Sequence, residues 1–196
     1  MSFSSWLAGH VFCDLLQHGR EIEPAIARKD ASLLTHSTPE LERYFDKPPA
    51  ELPRQNAFPV AIVLLLFLVA FVLNLLTVLR LFSALTPPMH ALLFFAPSLV
   101  MLLSIITASF FLARGYSLGI AGFYYLFTAL MVLTVAQLVF NLLIHGGAAA
   151  PLLLAFAALL GCRRVLNGRG FVLFSLYCRT QRIAKVAREV RLRSRG

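Results

Sequence analysis

Long, almost uncharged apolar runs occupy the middle of the chain, and mixed polar segments lie at both ends. The clearest run covers residues 58–79, which carry no charge and are followed by Arg80. A helix needs about 20 apolar residues to cross the hydrocarbon core of a bilayer. The pattern therefore predicts a membrane-spanning helix over about 58–80. Two further runs predict spans over about 89–113 and 117–144.

The fourth apolar run, residues 148–162, is the ambiguous one. It is shorter than a usual span and ends at the pair Arg163-Arg164. It can be read as a re-entrant segment or as a fourth span. The preceding span ends only three residues earlier, and a chain that leaves the bilayer so briefly most simply turns back into it. We therefore predict four spans within a transmembrane domain of residues 58–162.

The distribution of basic residues predicts the orientation, because cytoplasmic flanks are enriched in Lys and Arg. Four spans place both termini on one side, together with Arg43, Lys47, Arg54 and Arg114. The other side carries only Arg80. Both termini are therefore expected in the cytoplasm, most simply at a bacterial inner membrane, with a eukaryotic organelle membrane as the alternative.

Composition agrees with a membrane protein. Of the 196 residues, 59% are hydrophobic and only 14% are charged, whereas soluble domains are about a quarter charged. The formal net charge of +9 is unevenly distributed, because Glu189 is the only acidic residue after Glu51. Such asymmetry is typical of chains that contact a membrane surface or a nucleic acid.

Residues 1–57 are predicted to form a cytosolic or interfacial helical segment that ends in a proline-rich linker. Apolar residues over 4–17 recur at near-helical spacing. A second helix is expected after Thr38, because threonine is a good N-cap and Pro39 suits the first helical position. Glu40 and Glu42 would complement the dipole of that helix.

Residues 163–196 form a basic tail with ten Arg or Lys residues and one Glu. From residue 179 onwards the spacing predicts a basic amphipathic helix, suited to lying on an anionic leaflet. The tail can serve as a simple topology anchor or bind lipid or a partner protein, whereas nucleic acid is not expected because no binding fold is recognisable. The candidate contact residues are Arg163, Arg164, Arg179, Arg182, Lys185, Arg188 and Arg191.

A polar stripe marks the third predicted span. Thr134, Gln137, Asn141 and His145 share one helical face, and Asn74 and Thr77 of the first span fall at a similar depth. The stripe can reflect hydrogen bonding between packed helices, which we favour, or a small polar site opening away from the cytoplasm. Arg80, His90 and His145 are expected at the outer interface.

Gly115, Gly119 and Gly122 form a small-residue pattern that permits close helix approach. The predicted spans contain no carboxylate or lysine, and no catalytic motif is recognisable in the sequence. The three cysteines lack metal-site spacing. We therefore expect no enzyme activity, no metal and no cofactor.

The resulting expectation is an all-α integral membrane protein with four transmembrane helices, an N-terminal cytosolic helical segment and a basic amphipathic C-terminal helix. Its expected role is that of a non-enzymatic subunit, scaffold or regulator of a membrane complex, an immunity-type protein included. Its expected partners are anionic lipids and other membrane proteins or further copies of itself. The alternative is an oligomeric small transporter or channel with a polar layer from Asn74, Gln137 and Asn141.

Overall fold

The computed structural model describes residues 3–47, 52, 56–82, 86–145 and 149–194, and all regular elements in these ranges are helices. The predictions made for Arg54 and for the side chain of His145 lie outside the described part. The helices are α1 Phe3–Ala8, α2 His10–Arg28, α3 Pro39–Phe45, α4 Phe58–Leu81, α5 Pro87–Ala113, α6 Ser117–Phe140, α7 Ala150–Leu166 and α8 Arg169–Arg193, with a 3-10 turn Ala31–Thr35 and a π-helical turn Asn141–His145.

Helices α4 to α7 form an antiparallel bundle. Helix α7 runs back along α4, since Leu66 lies beside Gly161 and Pro59 lies beside Gly170 at the start of α8. Helix α6 runs back along α5 and parallel to α4. The start of α4, the α5–α6 turn and the end of α7 consequently lie at one end of the bundle, which we call the cap end.

The prediction of several membrane-spanning helices is confirmed in part. Three stretches, Phe58–Leu81, Pro87–Ala113 and Ser117–Leu143, are long and apolar enough to cross a membrane. Helices α7 and α8 meet at a 54° bend and count as a fourth span only if the pair is taken as one broken span. Helix α7 extends beyond residue 162 through the arginine pair, because arginine is a good helix former.

An aromatic chain joins the bundle to the terminal helices. The buried ring of Phe67 in α4 lies 6.0 Å from that of Phe123 in α6, between ring centroids. Phe123 contacts Phe171 of α8 at 5.9 Å, and Phe171 contacts Phe12 of α2 at 6.0 Å. Helices α2 and α8 therefore belong to the same hydrophobic core as the predicted spans.

The three glycines of the small-residue pattern have different roles. Gly119 and Gly122 lie where α6 approaches α5: a Cβ atom at Gly119 would lie 2.2 Å from the backbone nitrogen of Leu112. Gly115 instead occupies the α5–α6 turn with φ +74°, a left-handed conformation that favours glycine. It faces the backbone of α8, because a Cβ there would lie 2.4 Å from the Cys178 carbonyl oxygen.

Helix α3 begins as its sequence predicts. Thr38 has extended backbone, and its hydroxyl accepts a hydrogen bond from the Leu41 N–H at 3.3 Å, with Pro39 at the first helical position. The structure differs for Glu42: it buries this carboxylate, which the sequence suggested only as a dipole complement.

We expect Thr38→Ala to destabilise α3 by about 1 kcal/mol, because it removes the acceptor for one unpaired N–H of the first turn. Amide hydrogen exchange over residues 39–45 of the detergent-solubilised protein measures this loss. Thr38→Ser keeps the acceptor and should retain the native protection; equal exchange in both variants would contradict the capping role.

Candidate functional site

The two terminal segments fold together on the cap end, and we call residues 3–47 with residues 163–193 the cap. Asn167, between α7 and α8, joins them directly: its Nδ2 donates to the Ala8 carbonyl at 2.7 Å, and its Oδ1 accepts from the Phe12 N–H at 3.1 Å. Arg163 Nη2 donates to the Trp6 carbonyl at 2.8 Å. The side chains of Arg163 and Asn167, at the bend after α7, therefore bind the backbone around the break between α1 and α2.

A half-buried ionic cluster ties the cap to the α5–α6 turn. Arg182 Nη1 of α8 lies 2.7 Å from Glu23 Oε1 of α2, and the guanidinium lies over the Tyr116 ring, 3.6 Å from its centroid. The second Glu23 oxygen accepts the Ser117 N–H at 3.1 Å, at the start of α6. A carboxylate at a helix N-terminus is stabilised by the helix dipole. Glu23 thus links α2, α6 and α8.

Arg179 is buried in the same region and is only 3% exposed. Its Nη1 donates to the Leu15 carbonyl at 3.2 Å, and its Nη2 lies against Gly19, where a Cβ would come within 2.5 Å. Burial lowers the pKa of the Arg179 guanidinium, and the Glu23 carboxylate opposes that shift. This side chain supports the α2–α8 contact and does not face a lipid surface.

The Glu23 cluster predicts loss of cap stability in acid. Burial alone would raise the pKa of Glu23, but the Ser117 N–H and the Arg182 guanidinium outweigh it and hold the pKa below its ordinary value. A carboxyl whose pKa is lowered by folding stabilises fully above its unfolded pKa and loses that contribution as the pH falls through the folded value. We expect cap protection from hydrogen exchange to fall below about pH 4.5. Glu23→Gln should flatten this dependence, and an unchanged acid profile in that variant would contradict it.

Three more ion pairs join the N-terminal segment to α8. Arg191 binds the buried Glu42 through two guanidinium nitrogens, with Nη2–Oε1 at 3.0 Å and Nε–Oε2 at 3.1 Å. Arg188 pairs with Asp46, and Lys29 pairs with Glu189 at 2.6 Å on the surface. Two of these pairs match an N-terminal carboxylate with an arginine of α8, and the third matches Lys29 with the carboxylate of Glu189.

The predicted lipid-facing tail is divided by these contacts. One face of α8 is buried, and three of its basic residues, Arg182, Arg188 and Arg191, pair with carboxylates of the cap. Arg164 and Lys185 remain exposed, and Arg163 is half-buried. The sequence did not reveal the pairs because their partners are far apart along the chain. The dipeptide Asn167-Gly168 was a readable helix-end signal for the bend.

The polar layer lies in the half of the bundle away from the cap end. Asn74 of α4 and Thr134 of α6 are both fully buried, and Asn74 Nδ2 donates to Thr134 Oγ1 at 2.9 Å. Thr77 donates to the Leu73 carbonyl of its own helix, at 2.9 Å. Gln137 and Asn141 share the Thr134 face, but buried polar atoms of both lack a hydrogen-bond partner in the described part of the chain. Within the described part of the chain, the predicted polar layer is thus joined across helices by the hydrogen bond between Asn74 and Thr134.

The far end of the bundle also holds Arg80 and His90. Arg80 is exposed in the last turn of α4. His90 is half-buried in the first turns of α5 and lines an open, mostly apolar groove of about 660 Å³ with Leu76, Leu79, Pro87, Ala91, Phe94 and Phe95. The two residues lie at the same end of the bundle, opposite the cap.

Fold and site together define an all-helical chain with three to four helices apolar enough to span a membrane and a charged cap at one end. Comparison with known proteins finds no family model, no characterised relative and no solved structure that matches this chain.

Proposed function

We propose that the protein is a non-enzymatic subunit, scaffold or regulator of a membrane complex, inserted with both termini in the cytoplasm. The observation that carries the proposal is the cap. Four inter-segment ion pairs and the Asn167 bonds build a folded unit from both termini outside the apolar helices. A folded unit of this kind offers a defined surface to a partner on the cytoplasmic side.

Charge on the cap supports its placement on that side. Arg164 and Arg169 are exposed at the α7–α8 bend, next to the membrane-facing helices, and Arg114 is exposed at the α5–α6 turn. Each basic residue near an anionic leaflet contributes about 1 kcal/mol of attraction. Arg80 is the one basic residue described at the opposite end of the bundle. In this proposal the anionic headgroups are a second partner.

The exposed N-terminal half of α5 supports the proposal that a second protein is a partner within the membrane. None of the residues 87–100 is buried, although this stretch is largely apolar. Helix α5 contacts α6 through its other half, at Met101, Ile105, Ala108 and Leu112. An apolar helix face of this length can pack against helices of a partner as well as against lipid.

The second candidate function is an oligomeric transporter or channel. The observation that favours it is that buried amide atoms of Gln137 and Asn141, within a predicted span, have no hydrogen-bond partner in the described part of the chain. In that case, Gln137→Leu and Asn141→Leu should abolish flux in proteoliposomes while assembly remains intact.

Native mass spectrometry after gentle detergent extraction from the host tests the main proposal. A stoichiometric complex with a different chain is expected. A charge-reversed cap, with Glu42→Arg and Asp46→Arg, should lose that chain, whereas Lys29→Glu at the exposed pair should keep it. A homo-oligomer alone, unaffected by the cap, would overturn the subunit proposal and favour the transporter.

A further inference from the structure

Three amide side chains far from the cap carry buried polar atoms that make no hydrogen bond within the described part of the chain. These atoms are Oδ1 of Asn74, Oδ1 of Asn141, and both Oε1 and Nε2 of Gln137. A buried group left unpaired in this way costs about 1–3 kcal/mol, and hydrocarbon offers no water to compensate. Four such atoms on neighbouring turns therefore call for an occupant that supplies the missing bonds.

The other polar groups of the layer are already used. Asn74 Nδ2 donates to the Ala70 carbonyl at 2.7 Å and to Thr134 Oγ1 at 2.9 Å. The Thr134 hydroxyl in turn donates to the Leu130 carbonyl at 2.7 Å. The atoms that remain open are the carbonyl oxygen of Asn74, both polar atoms of the Gln137 amide and the carbonyl oxygen of Asn141.

Helical geometry aligns these open groups. Gln137 lies about 4.5 Å further along α6 than Thr134, and Asn141 lies about 6 Å beyond Gln137, on the same face. Asn141 is also the first residue of the π-helical turn that ends α6. Single π-helical turns within α-helices frequently occur at functional sites.

The chemistry of the layer selects an uncharged ligand. The described spans contain no acidic residue and no lysine, and Arg80 is exposed in the last turn of α4, so no buried charge lies within the layer to balance an ion. The open groups comprise three carbonyl oxygens that accept and one amide nitrogen that donates. We propose that Asn74, Gln137 and Asn141 form a buried site for a small uncharged molecule that both donates and accepts hydrogen bonds, with water as the smallest occupant. This inference does not depend on the subunit function.

Thiol labelling tests the site at matched depth. Asn141→Cys, which keeps the Gln137 amide, is placed in a Cys13→Ser background, since Cys162 and Cys178 are buried. Val139→Cys is the control, because Val139 lies two residues before Asn141 but is 47% exposed on another face, which would contact lipid in a membrane. N-ethylmaleimide crosses membranes and reacts with the thiolate, which forms only where water reaches the thiol.

We expect labelling at position 141 to be at least about 10-fold faster than at 139. Equal, slow labelling at the two positions would overturn the site. Adding Gln137→Leu to the Asn141→Cys variant should slow its labelling, because the leucine removes two of the groups that hold the occupant. Unchanged fast labelling in that double variant would also contradict the site.

A protection experiment identifies the occupant. Acetamide is a small uncharged molecule with the required donor and acceptor groups. Slower labelling of Asn141→Cys in acetamide, with unchanged labelling of Val139→Cys, would support a site that admits a solute. Fast labelling without protection would support water as the occupant.

Discussion

Gly119→Ala should be among the most damaging single substitutions in the chain, lowering the free energy of unfolding by about 3 kcal/mol. The added Cβ would lie 2.2 Å from the backbone nitrogen and 2.6 Å from the Cα of Leu112. Backbone atoms cannot rotate away as a flexible side chain can, so α5 and α6 must separate. A thiol-reactive fluorophore measures this, since heating exposes Cys162 and Cys178, which are buried in the fold.

Gly161→Ala provides the matched control. A Cβ at this position in α7 would lie 3.6 Å from Leu66 Cδ1, an ordinary van der Waals contact. Alanine also favours a helix interior over glycine by about 0.5–1 kcal/mol. The melting temperature of the Gly161→Ala variant should therefore equal or exceed that of the native chain. Similar losses in both variants would show that α5 and α6 are not in close backbone contact.

The second large effect is expected from Arg191→Met, which should destabilise the α3–α8 contact by about 2–3 kcal/mol. Removing one partner of a buried ion pair leaves the other charge without compensation. Here Glu42 is 5% exposed as a side chain, and Arg191 at 25% is screened in part by solvent. Faster amide exchange over residues 33–45, with the bundle unchanged, is the measurement.

Two further variants separate charge from packing. Lys29→Met breaks the surface pair with Glu189, whose side chains are 41% and 54% exposed, so it should have little effect. Glu42→Gln added to Arg191→Met removes the uncompensated charge and should restore part of the protection. A double variant as unstable as Arg191→Met alone would indicate that packing, and not charge, holds α3.

The elements governed by local sequence could be predicted. Helix α4 begins at Phe58 and ends at Leu81, within one residue of the expected span, because an uncharged run of that length permits little else. The start of α3 followed from Thr38 and Pro39 for a similar reason. Both predictions depend only on residues that are neighbours in the chain.

The cap could not be predicted from local patterns. The tail was expected to anchor the topology or to contact lipid or a partner protein, and Arg179 with it, whereas the structure buries Arg179 against α2. A sequence displays a carboxylate and a guanidinium separately and does not show that folding brings them together. The same holds for the polar layer, where spacing aligned the amides but only packing reveals that Asn74 and Thr134 bond to each other.

The large sequence separation between Glu42 and Arg191 has a consequence for biosynthesis. These two residues are separated by 149 positions, and the arginine partners of Glu23, Glu42 and Asp46 all lie in α8. These three carboxylates must therefore stay without their arginine partners until the ribosome has synthesised α8. In nascent chains arrested before α8, the N-terminal segment should therefore be sensitive to protease. Chaperones could bind this segment before the arginines of α8 are available to pair with it.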